Sequence, residues 1–432
     1  MVIITRNMLY LVLFAYSLFF FLLAFKNFRL AVGLFIVGLP AYLVRFKLGP
    51  LPSTLLELNF GILFLVWLIK FARKDLLGIK AYGVRNKFFF ALFSLFFAAS
   101  LISIFTSDMW YYSLGQWRAY FLEPMLLFVM LLGRSNSTSP NNITPDSTIW
   151  FLSLSTLSVS VFGILQRFTH WHIGNVDWIA LQTGRVTSFF LSPNAVGLYL
   201  APIVPLTCYL LVKNYKAVSH LKRYTLYLIL FSSLITVILT KSVGAFLGLA
   251  AGVLVWLWLV GYKKITLVAL IAGVVLSALL YPTLINSKSQ SGANRLTLWS
   301  YSWNYLSASP KNFVLGTGIR QFFRKIQKPY YDVKKMERLI YPHNIFLNFW
   351  TETGLFGLIG FIGIYYFLLA GAYSIYKNNS LLGASLISAL AIFLVHGLID
   401  VPYLKNDLAM LFWLLSITIL IAQSSFARQS SR

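Results

Sequence analysis

Acidic side chains and cysteine are what this chain has least of. Asp and Glu number 11 among 432 residues, against 36 Lys and Arg, and Cys208 stands alone. A single cysteine excludes an internal disulfide and any cysteine-based metal site. No two acids stand at an Asp-x-Asp spacing that would hold a divalent metal against phosphates, so a mechanism with neither metal nor other cofactor is expected. The nearest approach to a metal-ligating group is His170-Trp171-His172 with Asp177. Two histidines two residues apart in a wet, aromatic stretch read better as an interfacial loop. Internal repeats and low-complexity tracts are missing as well.

What the chain does have is apolar length. Residues AVILMFWYC make up 59% of it, aromatics 17% and charged residues only 11%, too greasy for a soluble core in a polar shell. About thirteen apolar runs, from 8–25 and 29–45 through 264–281 to 408–424, are each long enough to cross roughly 30 Å of hydrocarbon. The expected fold is all-α and polytopic, with about 12 to 13 transmembrane helices. Ten fall in a first membrane region, 1–281, and three in a last one, 345–432, separated by one large outer loop, 282–344. Met1 to Phe25 lacks a small-residue cleavage site and is expected to be a retained first helix. The net charge of +25 is spread between the apolar runs and forms no single basic domain, which fits topology signals facing anionic lipid and not nucleic acid.

Basic connections set the orientation. Lys70 to Lys87, Lys213 to Arg223 and the pair Lys263, Lys264 are separated by even numbers of runs, so all three are expected on the cytoplasmic side, with Arg428 and Arg432. Arg45 and Lys47 then fall outside by parity, and so does the amino-terminus, unless one early segment is only half inserted. Gly133 to Asp146, rich in Ser, Asn, Thr and Pro, is expected to be a mobile loop. The other face receives Ser107 to Ser113, Thr169 to Phe189, the turn at Lys241 and the interval Tyr281 to Tyr341. That interval is rich in Lys and Arg against the positive-inside tendency, a hint of an anionic ligand on the outer side.

The polar stretch from Asn294 to Gly357 is where chemistry is to be sought, because polar residues gathered in an apolar chain mark function. Within it, Tyr341-Pro342-His343-Asn344 precedes an apolar run in which Asn344, Asn348 and Glu352 recur every four residues, one polar stripe at a helix mouth. A neutral imidazole there can accept a proton from a hydroxyl nucleophile. Arg185 precedes Ser192-Pro193-Asn194, a helix start with a cation beside it, which favours bound phosphate. Arg295 lies in an amphipathic segment with Leu298, Trp299 and Trp303. Together with Lys241 these arginines can neutralise a pyrophosphate at headgroup depth, and Arg320 in Gly316-Thr317-Gly318-Ile319-Arg320 adds another cation. Trp110, Tyr111, Tyr112 and Trp117 form an aromatic belt, and Arg118 and Glu123 pair either with each other or with partners elsewhere.

At these residues the chain resembles the superfamily of O-antigen ligases and O-antigen polymerases of bacterial cell-surface polysaccharides. The resemblance rests on the many runs, the late outer loop, Pro342-His343-Asn344 with Gly354, the piece Leu39 to Phe46 leading to Leu55-Leu56-Glu57, Arg185 to Gly197, and Leu315-Gly316-Thr317-Gly318. It implies a metal-independent glycosyltransferase. Such an enzyme moves a glycan from undecaprenyl pyrophosphate to an acceptor hydroxyl on glycan, lipid A core or protein, at the outer face of the cytoplasmic membrane. Carried over, His343 is the general base and Arg185 and Arg295 hold the leaving group; the residues themselves add Lys241, Asn344, Glu352 and Arg320 as expected substrate-binding residues. One departure stands out: where the family often has Ser-Arg-Gly-Ala, this chain has Thr240-Lys241-Ser242-Val243-Gly244-Ala245. The competing class, a transporter or flippase for lipid-linked glycan, predicts charges lining the middle of several spans and inverted repeats, whereas the polar groups here cluster at one surface.

Overall fold

The computed structural model describes residues 6–49, 51–135, 142–171, 184–213, 219–273, 290–332 and 338–430. The chain is helical nearly throughout, in the order α1 (Arg6–Lys26), α2 (Phe28–Val37), a hairpin of β1 (Arg45–Leu48) and β2 (Leu51–Thr54), then α3 (Leu55–Lys70), α4 (Ala72–Arg85) and α5 (Lys87–Phe105). Next come α6 (Trp110–Trp117), α7 (Glu123–Ser135), α8 (Pro145–Thr169), α9 (Pro193–Leu200), α10 (Val204–Lys213), α11 (His220–Thr240) and α12 (Val243–Leu259). Helical residues 263–273 form α13. They are followed by α14 (Gln290–Ser307), α15 (Pro310–Leu315), α16 (Ile345–Asn378), α17 (Ser380–Gly397) and α18 (Asn406–Ser430).

Seven helices among the described residues are long and apolar enough to cross a membrane, and an eighth crossing arises if α3 and α4, bent by 91°, are taken as one. This is a multi-pass membrane protein, but the thirteen apolar runs are not thirteen equal helices. The run 29–45 is broken because Gly38 and Pro40 end α2 after ten residues in a short 3₁₀ turn, and the chain then folds into the β1–β2 hairpin around Gly49. Between α6 and α7 the run 114–133 passes through a π-helical turn, Arg118–Leu122, which lets Arg118 and Glu123 face the same interior. The run 264–281 is seen only as far as residue 273, and the rest lies outside the described residues, as do 282–289 and 333–337 of the outer loop and 136–141 of the loop expected after Gly133.

The helix α18 is the central post, with 83% of its apolar window buried against 39% for the peripheral α5. Trp413 and Phe412 on α18 meet Tyr403, Phe128, Phe361 and Phe393, and the Trp413 indole donates to the Tyr403 hydroxyl at 3.0 Å. Aromatic packing of this kind supplies area, while the one polar atom of each ring finds its partner inside.

The two ends of the bundle differ. At one end Arg134 pairs with buried Asp75, Lys213 pairs with Asp146, Lys222 lies over Trp150 and Tyr376 donates to the Leu259 carbonyl next to Lys263. All three basic connections therefore share this end. Lys70 also donates there to the Phe25 carbonyl, whereas Tyr10 at the start of α1 reaches Lys47 on the hairpin at the far end. At that far end the segment Gly316-Thr317-Gly318 is laced into the bundle. Thr317 donates through N–H and hydroxyl to the Thr351 carbonyl, Ile319 N–H donates to Ser103, and Lys325 pairs with Asp108 at 2.9 Å. The chain breaks helical geometry at Gly354 (φ 73°) to allow this, since a Cβ there would collide with the Val314 carbonyl oxygen.

Candidate functional site

The far end is built around the approach to α16. Asn344 caps that helix, its side-chain oxygen accepting from Phe346 N–H at 3.0 Å and Leu347 N–H at 3.1 Å, while its amide nitrogen donates to the Leu398 carbonyl after α17. Pro342 therefore precedes the helix and does not open it, and its carbonyl accepts from the Trp299 indole of α14 at 2.9 Å. His343 sits between the two in a left-handed turn (φ 54°), its ring 4.7 Å from that of Tyr341. A non-glycine residue held in that conformation is over-determined by its surroundings.

The His343 Nδ1 atom lies 3.3 Å from Oδ1 of Asp400. This is the long end of hydrogen-bonding range, an ion-pair contact not aligned as a full hydrogen bond. Asp400 is buried, takes the Val401 N–H on Oδ1, and gives its own N–H to the His396 carbonyl at the end of α17. Burial pushes its carboxyl upward, but the close contact with His343, the neighbouring His396 and the Val401 amide outweigh burial and hold it well below the usual carboxylate range. A carboxylate only accepts, so in the singly protonated ring the proton that faces Asp400 is the one on Nδ1 and the lone pair is left on Nε2.

The cations expected near His343 come from three separate segments. The Arg185 Nε atom donates to the Thr240 carbonyl at 2.8 Å and one terminal nitrogen donates to Asn194 in the first turn of α9, so the guanidinium bridges the ends of α11 and α9. Burial first, and then the positive charge of Arg295 nearby, lower the Arg185 pKa from its usual value. Arg295 on α14 also lies within electrostatic reach of His396. Lys241, left-handed (φ 50°), ends α11, and its ammonium and the Arg167 guanidinium both approach Gly184.

The remaining sequence-predicted residues lie elsewhere. Arg320 is exposed, left-handed (φ 66°), and holds its guanidinium 5.3 Å over the Tyr112 ring of the aromatic belt, with only its backbone amide turned to Glu352. Glu352 is buried two turns down α16. Asn344 is occupied as a cap. Arg118 pairs with both Glu57 (2.7 Å) and Glu123 (3.2 Å), and Asn406 donates to the other oxygen of Glu57. No cluster of three or more metal-ligating residues occurs among the described residues, and His172 and Asp177 lie outside them.

Asp400 escaped the sequence reading, as did His396 and Lys405, which lies within reach of Asp400 and Asp407. A signal was present: in a chain with 11 acids, Asp400 and Asp407 both fall beside the short connection between the last two spans.

Residues 228–362 match the family described as O-antigen ligase, a stretch that holds Lys241, Arg295, Arg320, His343, Asn344 and Glu352 but neither Arg185 nor Asp400. The chain is also 22% identical over 351 residues, 73% of its length and 68% of the relative's, to the teichuronic acid biosynthesis protein TuaE of Bacillus subtilis (strain 168). With a polytopic helical fold and a Pro-His-Asn turn at the mouth of α16, the chain is thus similar over this stretch to the O-antigen ligase family and, over most of its length, to a protein of teichuronic acid biosynthesis.

Proposed function

We propose that this protein is a glycosyltransferase that moves a glycan from undecaprenyl pyrophosphate to a hydroxyl of a glycan, lipid A core or protein acceptor. The observation that carries the reading is His343 held against buried Asp400, with Arg185, Arg295 and Lys241 around the same end of the bundle. In the step, Nε2 of His343 takes the proton of the acceptor hydroxyl as its oxygen bonds to the anomeric carbon. The bond from that carbon to the phosphate oxygen breaks, and the electron pair leaves with the pyrophosphate. Asp400 keeps Nδ1 protonated and stabilises the imidazolium that forms. Contacts of this kind are commonly loose before substrate arrives, which suits the 3.3 Å separation.

Arg185 and Arg295 are like charges brought within reach of each other, an arrangement that a dianionic leaving group relieves. Lys241 stands where the family often has arginine and supplies a point charge in place of a fork. The site faces the non-cytoplasmic side of the cytoplasmic membrane in this reading, because the basic connections lie at the opposite end. Two experiments test it. In a Cys208→Ser background, Ser307→Cys should be labelled by an impermeant reagent in intact cells and Ser430→Cys should not. Purified His343→Gln should retain the labelled lipid-linked glycan and transfer almost none of it; near-normal transfer by that variant would remove His343 as the base.

A further inference from the structure

Three side chains below His343 take no part in that chemistry. Asn348 is fully buried, and neither its amide oxygen nor its amide nitrogen has a hydrogen-bond partner among the described residues. Glu352, one turn on along the same face of α16, is 2% exposed with Oε2 lacking a hydrogen bond, and Asp407 is 1% exposed with neither carboxyl oxygen in a well-formed hydrogen bond, though Lys405 and the amides of its own helix start lie near it. Buried polar groups are nearly always satisfied, so three exceptions in one neighbourhood ask for an occupant.

They do form one neighbourhood. Tyr120 lies within electrostatic reach of Glu352, Asp407, Arg45 and Arg320, and Tyr42 within reach of Asp407, Tyr120, Arg45 and Tyr341. The Tyr341 ring packs on His343, so the cluster starts at the base and runs down into the bundle. By helical rise, Asn348 and Glu352 lie about 6 and 12 Å below the cap at Asn344.

We infer that Asn348, Glu352, Asp407 and Tyr120 form the acceptor subsite, and that it takes the hydroxyl groups of a carbohydrate. The inference rests on the reading of His343 as the base. Each sugar hydroxyl both donates and accepts. Carboxylates accept those protons, while an amide and a phenol do both, so this set of side chains matches a polyol. A diphosphate offers acceptors only and leaves the acceptor oxygens of Asn348 and Glu352 without donors, so it fits this set less well. The donor anion and the acceptor sugar are thus held by different residues, which places the acceptor hydroxyl beside Nε2 before the donor arrives.

The test uses the full-length protein in nanodiscs, with the total glycolipid extract of cells lacking the gene as substrate and inorganic pyrophosphate as a probe of the basic side. Asn348→Ala and Glu352→Gln should raise the amount of extract needed for half-maximal transfer about tenfold, the loss of one hydrogen bond to a buried group. The pyrophosphate concentration that halves transfer should stay as in the wild type. If these variants fail to fold, Asn348→Ser and Tyr120→Phe are scored in the same way and should shift saturation in the same direction by less. Unmoved saturation in the folded variants, or a parallel shift in pyrophosphate inhibition, overturns the subsite. His343→Gln in the same assay separates the two claims. If it transfers normally, the base reading fails; if it is inactive while Asn348→Ala and Glu352→Gln saturate normally, only the subsite fails.

Discussion

Two groups of polar residues at the end of the bundle that holds His343 differ in where they come from. Arg167, Arg185, Lys241 and Arg295 come from helix ends, a loop and the outer helix α14, where Lys241 is exposed and Arg185 and Arg295 are half-buried. Asn348, Glu352 and Asp407 are inside membrane helices and buried. Cations at headgroup depth keep much of their hydration, so collecting them costs little. An unsatisfied amide or carboxyl inside the bundle costs ~1–3 kcal/mol or more in the folded state. The difference teaches that the basic groups are placed at little cost, whereas the buried polar groups are held against the stability of the bundle.

The comparison is broken most severely at its centre. His343→Gln keeps a hydrogen bond but not the proton acceptor and should slow transfer by roughly 10² to 10⁴ fold while donor retention stays near wild type. Retained transfer would leave neither group with a base to serve. Asp400→Asn comes next, with transfer down about 10² fold, because an amide can present its N–H to Nδ1 and reverse the tautomer. That variant also has a pH signature. The folded carboxyl is depressed, so its contribution to stability is complete above the ordinary carboxylate range and is lost as pH falls through the lower folded value. Thermal unfolding should therefore separate wild type from Asp400→Asn at pH 7, and the gap should begin to close only below about pH 4. An unchanging gap would mean that Asp400 is held in place by packing alone.

Smaller changes sharpen the comparison from either side. Arg185→Lys cannot reach both the Thr240 carbonyl and Asn194 and still point a fork at phosphate, so transfer should fall about tenfold, chiefly through weaker pyrophosphate binding. Equal affinity in the lysine variant would take Arg185 out of the anion site. The least effect is expected from Arg320→Lys, within about twofold of wild type, because its guanidinium rests on Tyr112, where a lysine ammonium is also attracted. A loss as large as that of Arg185→Lys would return Arg320 to the substrate.

How much of this was legible in the residues follows from what each signal depends on. Arg185, Arg295, Lys241 and His343 stand out in the sequence because each lies in a polar interruption of an apolar chain, and side preference is a local property. Asn344 and Arg320 carried the same signal and proved to be a helix cap and an aromatic contact, since a polar residue at a helix mouth serves the backbone as readily as a ligand. The run 29–45 read as a span because hydropathy does not register the break at Gly38 and Pro40 or the pairing of β1 with β2. Asp400 was invisible because its meaning depends on a contact across 57 positions, from 343 to 400.

By itself the sequence determined that the chain is a helical, many-pass membrane protein with its basic connections at one end. Those features follow from transfer free energies that act residue by residue. Only the tertiary structure decided that Asp400 meets His343, that Gly354 breaks α16 to receive Gly316-Thr317-Gly318, and that Glu352 and Asp407 share a neighbourhood with Tyr120. Those depend on which helices become neighbours and at what register, and that is set by packing over the whole bundle, not by the solvent preference of any one residue.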